Sequence, residues 1–218
     1  MINDKYDMTK EQNIFYAKRN IVDSMWKSAN LEGIAITFPE TQKIFDGGNV
    51  SHLRIDEVVA VNNLKHAWQF ILSTIDANID FNYIASIHSL VGSNLVESPG
   101  NLRVYDVKMG GTNWRPEVPS IEKLELMLKE NSKIDCITDR ILELMCRLMK
   151  MQLFNDGNKR TAMLVANHEL IKYGKGIVSV SEEFKEEFGM KLIAFYEDDN
   201  NLEALKNFLF ENCLDGLK

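Results

Sequence analysis

Apolar residues at helical spacing, broken by few glycines and prolines, are the feature that most restricts how this chain can fold. From Ile55 to Ile79 they recur every three or four positions and form one continuous apolar face on a long helix. A second stripe runs from about Ile134 to Lys150, and the stretch from Lys159 to Tyr173 is also strongly apolar. The 218 residues include only four prolines and twelve glycines, so we predict a mostly α-helical protein.

Glycine and proline divide the rest of the chain. Shorter helices are predicted at 21–33, 81–92, 121–129 and 182–212, the last of them interrupted near 198–201. The stretch from Phe38 to Gly48 contains Pro39 and two glycines and is predicted to be a loop. Between Glu97 and Pro119, short extended pieces predict a β-hairpin that turns at Gly110 and Gly111.

The composition narrows the class of protein. An apolar content of 45% and a charged content of 26% suit a globular domain with a buried core. The net charge of −7 argues against a general nucleic-acid binder, which usually has a basic face. No apolar run reaches the ~18 residues that a membrane span requires, and the first residues lack the apolar stretch of a signal peptide. We therefore expect a cytoplasmic protein with no membrane or nucleic-acid partner.

The cysteines predict no metal site. Cys136, Cys146 and Cys213 are odd in number and lack metal-type spacing. Free thiols in or beside helices behave as small apolar residues, so we expect a structural role for them.

The turn that joins the last two apolar stripes concentrates groups that suit phosphate. Gly157 permits backbone angles closed to other residues, and Asn158 tolerates a left-handed conformation, so consecutive amide N–H groups can point at one anion. The next helix begins near Lys159, and its positive dipole end adds to the charges of Lys159 and Arg160. Asp156 can hold a divalent cation that bridges phosphate oxygens. The alternative is an ordinary helix connection with a capping asparagine and solvated basic side chains.

The run from Gln152 to Ala162 resembles the signature loop of the Fic family, also called Fic/Doc or Fido. That signature reads His-x-Phe-x-(Asp/Glu)-Gly-Asn-(Gly/Lys)-Arg, and the chain matches every specified position except the first. The segment from Pro99 to Gly111 resembles the family's target-docking flap. The family's early core helix resembles the one that contains Val58, Asn62, Asn63 and Ala67. The resemblance covers roughly residues 28–173 and implies a Fic-like helical bundle with a short β-hairpin flap.

The resemblance also implies an activity and its residues. The activity would be transfer of part of a nucleotide to a protein hydroxyl, most often AMP from ATP. Phe154 would anchor the loop in the core, and Asp156 would bind Mg²⁺. The nucleotide-binding residues would be Asn155, Gly157, Asn158, Lys159 and Arg160. The flap that docks the protein target would contain Val107, Met109, Gly110, Gly111 and Thr112.

Three positions depart from the family's pattern. Gln152 stands where the family has the histidine that takes the proton from the target hydroxyl, and an amide cannot accept that proton. His168 lies eight residues past Arg160 on the same helix and points elsewhere, so we expect it to be structural. Lys159 replaces the glycine of most AMP transferases and resembles Doc, a relative that binds the nucleotide reversed and transfers the terminal phosphate. Met163 stands where many AMP transferases carry a second arginine.

The segment from Ser28 to Gly33 matches the family's inhibitory motif, (Ser/Thr)-x-x-x-Glu-(Gly/Asn). In relatives that carry this motif before the core, the glutamate pairs with the second arginine and blocks productive ATP binding. The resemblance assigns that role to Glu32, and in the absence of the second arginine Arg160 or Lys159 would have to pair with it. The alternative is a surface glutamate at a helix end.

We therefore predict one Fic-like domain over residues 1–218. It would consist of an N-terminal segment with the inhibitory helix (1–50), a core (51–175) and C-terminal helices (176–218). One function is an autoinhibited AMP-transferring enzyme impaired by Gln152; the others are a catalytically inactive Fic-like regulator that binds a nucleotide or a partner, and Doc-like phosphate transfer. ATP with Mg²⁺ would be the ligand and a protein the target, and the sequence leaves a homo-oligomer open.

Overall fold

The chain folds almost entirely into helices, as the apolar spacing predicts. The computed structural model describes residues 2–217. Across that range the α-helices are α1 (Lys10–Leu31), α2 (Phe38–Phe45), α3 (Ile55–Ser73), α4 (Phe81–Val91), α5 (Ile121–Asn131), α6 (Ile137–Met151), α7 (Asn158–Lys172), α8 (Lys185–Glu197) and α9 (Leu202–Asn212). Two short strands, β1 (Ile177–Val178) and β2 (Leu214–Asp215), complete the fold.

Helix α7 lies at the centre of the bundle. It packs against α1, α3, α4 and α6, and its apolar side chains belong to one continuous core. Two polar side chains on α7 bind backbone groups inside that core. Asn167 donates to the carbonyls of Met163 and Val178, and His168 Nε2 lies 3.1 Å from the carbonyl oxygen of Thr74. His168 is therefore a buried structural side chain that contacts the end of α3.

Helix α1 begins eleven residues before the predicted start at residue 21. Its first turn is stabilised by a reciprocal cap: Thr9 Oγ1 accepts from the Gln12 N–H at 3.1 Å, and Gln12 Oε1 accepts from the Thr9 N–H at 2.8 Å. The polar first part of α1 lacks a continuous apolar stripe, which is why the spacing of apolar residues does not reveal it.

The prediction of a loop from Phe38 to Gly48 is wrong, because residues 38–45 form α2. Pro39 lies in the first turn, where its missing N–H costs nothing. The Glu40 carboxylate accepts a hydrogen bond from the Thr37 N–H at 3.0 Å and so satisfies a backbone group at the start of the helix. The two glycines act only after the helix, and Gly47 adopts a left-handed conformation.

The predicted β-hairpin between Glu97 and Pro119 is absent from the described structure. The segment is extended but its two halves do not pair; instead the carbonyls of Tyr105 and Glu117 accept hydrogen bonds from the guanidinium of Arg103. A buried arginine side chain therefore replaces the ladder that would join two strands. The two-stranded antiparallel sheet lies elsewhere, with Ile177 opposite Asp215 and Val178 opposite Leu214.

The residues before α1 bury Ile2, Tyr6 and Met8 in the core and are bonded to the C-terminal part of the chain. Met8 N–H donates to the Gly174 carbonyl at 2.9 Å, and Lys5 Nζ donates to the carbonyls of Phe210 and Leu214 at 3.0 and 3.1 Å. Gly174 must be glycine, since a Cβ there would lie 1.9 Å from the Met8 carbonyl oxygen.

Two further expectations from the sequence concern cysteines and membranes. Cys146 and Cys213 are buried and Cys136 is half-buried, all with free thiols. Among residues 2–217, no helix is both long and apolar enough to cross a bilayer.

Candidate functional site

The loop between α6 and α7 is closed by its own side chains. After Met151, Gln152 adopts a left-handed backbone conformation (φ +47°), and Gly157 adopts a second one (φ +76°) just before α7. The Asn158 side chain bridges the loop: Oδ1 accepts from the Phe154 N–H at 2.9 Å, and Nδ2 donates to the Phe154 carbonyl at 2.7 Å. These bonds give the loop one fixed shape and hold Phe154 in the core.

His88 of α4, which the sequence analysis does not single out, contacts the same loop on its core side. His88 of α4 is buried and stacks on the Phe154 ring, with centroids 3.7 Å apart and planes within 6°. Its Nδ1 accepts from the Gly100 N–H at 2.8 Å, so Nε2 carries the hydrogen and donates to the Asp156 carbonyl at 2.8 Å. Burial lowers the pKa of His88 below its usual value. The one signal in the sequence is a histidine on the apolar face of a predicted helix.

A cleft of about 420 Å³ lies above the loop. Gln152 and residues 155–159 form its floor, residues 107–110 form one wall, and Leu192, Ile193 and Tyr196 of α8 form another. Glu32, at the C-terminal end of α1, lines the cleft as well. The fold thus brings together the predicted signature loop, the first flap residues and Glu32, for which the sequence analysis predicts an inhibitory role.

Two of the predicted flap residues do not line this cleft. Gly111 adopts a left-handed conformation and lies against Ile193 of α8. The Thr112 hydroxyl donates to the Glu197 carboxylate at 2.5 Å, which attaches the end of the flap to α8. Val107, Met109 and Gly110 do line the cleft.

Positive charge converges on one end of the cleft. The first amide N–H groups of α7 have no partner within the helix, and no side chain among the described residues caps this end. The Lys159 side chain, 36% exposed, lines the cleft, whereas the Arg160 side chain is only 10% exposed and lies behind Glu32, outside the cleft lining. Such a combination of helix dipole, free amides and two cations suits an anion, phosphate in particular.

Glu32 now occupies that basic corner. Its Oε1 lies 3.2 Å from Lys159 Nζ and its Oε2 lies 3.6 Å from Arg160 Nε. The other partner of Arg160 is Asp156, whose Oδ2 lies 3.4 Å from Nη2. Across the described residues, Glu32 Oε1 and Arg160 Nε are nevertheless among the few buried side-chain atoms without a hydrogen bond. Charge is balanced there, but hydrogen-bonding capacity is left unused.

The other residues of the predicted inhibitory motif lie at the end of α1, behind this corner. Gly33 ends α1 with a left-handed backbone (φ +87°), and the Glu32 N–H bonds back to the Ser28 carbonyl at 3.3 Å. Ser28 is buried near Arg160 and Met163. Met163 is apolar and buried, so the second arginine of the family's pattern has no equivalent at this position.

Asp156 is the one carboxylate of the loop, and its side chain is 70% exposed. Residues 2–217 contain no group of three or more His, Cys, Asp or Glu side chains able to hold a metal ion by themselves. A single carboxylate on the cleft floor nevertheless fits Mg²⁺, which commonly binds one or two carboxylates and takes its other ligands from phosphates and water.

Gln152 is buried and its amide is committed to the protein. Its Nε2 donates to the Met149 carbonyl at 2.7 Å, and its Oε1 accepts from Asn158 Nδ2 at 3.1 Å. Tyr196 Oη lies 3.5 Å from Nε2, and burial raises the pKa of this phenol well above its usual value. Among the described residues no histidine lines the cleft. Gln152 therefore cannot take a proton in the histidine's place, and the two carboxylates that line the cleft, Glu32 and Asp156, are paired with Lys159 and Arg160.

Comparison with known proteins gives the class of protein that this fold and site define. The sequence model of the Fic/DOC family matches residues 78–170, a region that includes α4, the flap segment, the loop and nearly all of α7. No curated protein sequence matches the chain. The chain is thus a Fic-fold protein with a Fic/DOC family region, and members of that family are generally protein-modifying transferases.

Solved structures share this fold over most of the chain. A Fic-domain-containing signaling protein from Bacteroides thetaiotaomicron VPI-5482 is 15% identical, with a TM-score of 0.75 over 93% of this chain and 86% of that one. Fic-1 from C. elegans (residues 134–508) is 21% identical, with a TM-score of 0.73 over 89% of this chain and 61% of that one. A Fic family protein from Desulfovibrio desulfuricans G20 is 17% identical, with a TM-score of 0.64 over 92% and 67%. The chain spans about three fifths of the C. elegans fragment, and at these identities the likeness shows the fold alone.

Proposed function

We propose that the cleft binds a nucleoside triphosphate, ATP, with Mg²⁺, and that transfer of AMP to a protein hydroxyl is impaired. The observation that carries the proposal is that the uncapped end of α7 and Lys159 meet at one corner of the cleft, with Arg160 directly behind Glu32. Asp156 would hold the Mg²⁺ ion, which would supply positive charge to offset that of the phosphates.

We propose further that Glu32 opposes this binding from within the chain. Its carboxylate lies against the two cations that a phosphate would need. A bound phosphate has more acceptor oxygens than a carboxylate and could use Arg160 Nε, which now makes no hydrogen bond. Ligand and glutamate would therefore compete for the same charges, with Ser28 and Gly33 fixing the end of α1 from which Glu32 projects.

The impairment of transfer rests on Gln152. An amide held between Met149 and Asn158 can neither accept the proton of a target hydroxyl nor turn easily toward it. Loss of a general base typically lowers a rate by ~10²–10⁴-fold. The chain would then act mainly as a nucleotide-binding regulator with at most slow transfer.

Doc-like transfer of the terminal phosphate is a second candidate, favoured by one observation. Lys159 Nζ projects into the corner where the phosphates would lie, as its contact with Glu32 indicates. A lysine there adds a point charge and removes the space that a glycine would leave, which suits a reversed nucleotide.

The target of either transfer would be a protein that pairs with the flap. In the described part of the chain, backbone groups from 104 to 119 form no main-chain hydrogen bonds with other main-chain groups. An extended segment with free backbone groups suits the addition of a strand from another chain.

Calorimetric titration with ATP and Mg²⁺ tests the binding proposal. Glu32→Gln and Glu32→Gly should bind more tightly than the unaltered protein, because both remove the competing carboxylate. Glu125→Gln, a charge change on the exposed face of α5, should leave the affinity unchanged. Absence of binding in all four proteins would refute nucleotide binding. Equal affinity in all four would refute the role of Glu32.

Labelled ATP tests transfer. In the Glu32→Gln background, proteins with Gln152 and with Gln152→His are incubated with ATP labelled on the α-phosphate or on the γ-phosphate. Labelling only in the Gln152→His protein supports the impairment. Equal labelling of both proteins contradicts it. Retention of the γ-label without the α-label would identify phosphate transfer rather than AMP transfer.

A further inference from the structure

We infer that His88 is a positioning residue: it fixes the loop between α6 and α7 (residues 152–157) through a hydrogen bond to the Asp156 carbonyl, without touching any ligand. The effect of His88 on ligand affinity rests on the proposed function, but its effect on the loop can be tested without a ligand. Three contacts fix the imidazole: the bond to Gly100, the bond to Asp156 and the parallel stacking on Phe154. Both ring nitrogens are used, so the ring cannot turn over without losing both hydrogen bonds.

The bond from His88 sets the orientation of one peptide unit. The Asp156 carbonyl and the Gly157 N–H belong to the same planar peptide and point in opposite directions. Because His88 holds the carbonyl toward α4, the Gly157 N–H points the other way, where it donates to Asp156 Oδ1 at 2.7 Å. His88 thereby sets the direction of the proposed Mg²⁺ ligand, although it does not contact the carboxylate.

The packing around Gly157 supports the same reading. A Cβ at this position would lie 3.2 Å from Val91 Cγ1 and 3.5 Å from His88 Nε2, so the backbone rests directly on α4. The left-handed angle of Gly157 and the start of α7 follow from that peptide's orientation. The charged groups near the ring are Asp156, in the loop that it supports, and Arg160, in the first turn of α7.

The second bond extends the effect to the flap. His88 Nδ1 accepts from Gly100, three residues before Arg103, whose guanidinium binds the carbonyls of Tyr105 and Gln152. One side chain of α4 therefore connects the loop to the base of the flap. The two ring nitrogens therefore help to place the loop relative to the flap, alongside Arg103, whose N–H and Nε donate to the carbonyls of Leu153 and Gln152.

Two substitutions separate the two nitrogens. In His88→Gln the amide nitrogen reaches the position of Nε2 and keeps the bond to Asp156. In His88→Asn the amide oxygen replaces Nδ1 and keeps only the bond to Gly100. Both lose the stacked ring, so a role in packing alone predicts the same behaviour for both variants.

Amide hydrogen exchange followed by NMR is the ligand-free measurement. We expect Gly157 N–H to exchange roughly two- to tenfold faster in His88→Asn than in His88→Gln, the effect of one lost hydrogen bond. In the unaltered protein, imidazole ¹⁵N shifts should report the Nε2-protonated tautomer. The Nδ1-protonated tautomer, or equal Gly157 exchange in the two variants, would overturn the inference even if one variant folds poorly.

Calorimetry with ATP and Mg²⁺ then tests the consequence. We expect the two variants to lose similar amounts of thermal stability. His88→Asn should bind ATP several-fold more weakly than the unaltered protein, whereas His88→Gln should keep most of the unaltered protein's affinity. If the unaltered protein binds and the two variants bind alike, His88 does not position the site. If the unaltered protein does not bind, the proposed function fails, while the exchange and tautomer measurements still decide the structural role of His88.

Discussion

Glu32 at the end of α1 and Lys159 at the start of α7 face each other, with Oε1 3.2 Å from Nζ. The contact joins the negative end of one helix dipole to the positive end of another, so backbone and side-chain charges act in the same direction. Lys159 is the signature position that differs from the glycine of most AMP transferases, and Met163 is the position that lacks the second arginine. In this structure the nearest cation to Glu32 is therefore Lys159, in the first turn of α7.

A double-mutant cycle on Glu32 and Lys159 should give a small coupling energy in the ligand-free protein. Lys159 is about a third exposed, so solvent screens the pair, and we expect less than about 1 kcal/mol in the free energy of unfolding. Urea unfolding of Glu32→Gln, Lys159→Met and the double variant measures it, and added salt should shrink the value. A coupling of several kcal/mol that is insensitive to salt would contradict a displaceable contact.

The Gln152 side chain stabilises the fold through its hydrogen bonds, whereas its left-handed backbone conformation destabilises it. Replacement by alanine removes the hydrogen bonds to Met149 and Asn158 and keeps a Cβ on a left-handed backbone. Gln152→Gly removes the same bonds but relieves the backbone, so it should be more stable than Gln152→Ala by about 1 kcal/mol. Chemical denaturation of the two variants gives the difference. If alanine is equally stable or better, the left-handed conformation is not maintained in solution.

The part of the fold that sequence could predict is the part determined by apolar spacing. Stripes of side chains every three or four residues located α3, α4, α6 and α7, and the glycines marked where several of them end. Helix α2 was missed because its signal is not a stripe but a cap, in which Glu40 binds the Thr37 N–H. Pro39 predicts a break from composition alone, but in the first turn of a helix it is compatible with helical structure.

Lys206 should contribute more to stability than any exposed ion pair in the chain. It is 2% exposed on α9, and Nζ lies 2.8 Å from Asp139, 3.0 Å from Glu143 and 2.7 Å from Glu203. Lys206→Met keeps the apolar stem but leaves the half-buried Asp139 without this cation and Glu143 with Arg147 alone, which should cost about 3 kcal/mol.

Thermal and urea unfolding measure this cost, and Lys133→Met is the matched control. Lys133 pairs with Glu130 on the surface, so its replacement should cost less than about 1 kcal/mol. Equal effects of the two substitutions would show that the buried network is not formed in solution.

Stability should fall on mild acidification because of His88. Burial places its pKa in the folded protein below the usual 6.5, so between those two values the unfolded chain binds more protons than the folded one. The free energy of unfolding is then fully maintained above pH 6.5 and decreases as the pH drops below it. Urea unfolding between about pH 7.5 and about pH 5 should show this slope, and His88→Gln should reduce it. An unchanged slope in the variant would assign the effect to other groups.

The sequence predicts the part of the site that lies in one contiguous motif, but not the part that depends on contacts between residues far apart in the chain. The loop residues 155–160 follow from one contiguous motif. His88 lies 68 residues before Asp156, and no short sequence pattern predicts that the two residues are in contact. The hairpin failed for the same reason: extended residues were recognised, but the buried Arg103 that binds the carbonyls of both halves could not be read from their propensities.

The left-handed backbone of Gln152 has a consequence for how this protein could change by mutation. Histidine is among the side chains that tolerate such angles, so the backbone requires no rearrangement to accept it. In the standard genetic code, glutamine and histidine codons differ only in their third base. One nucleotide substitution would therefore place an imidazole at the end of α6, between a fixed loop and a cleft that already exist.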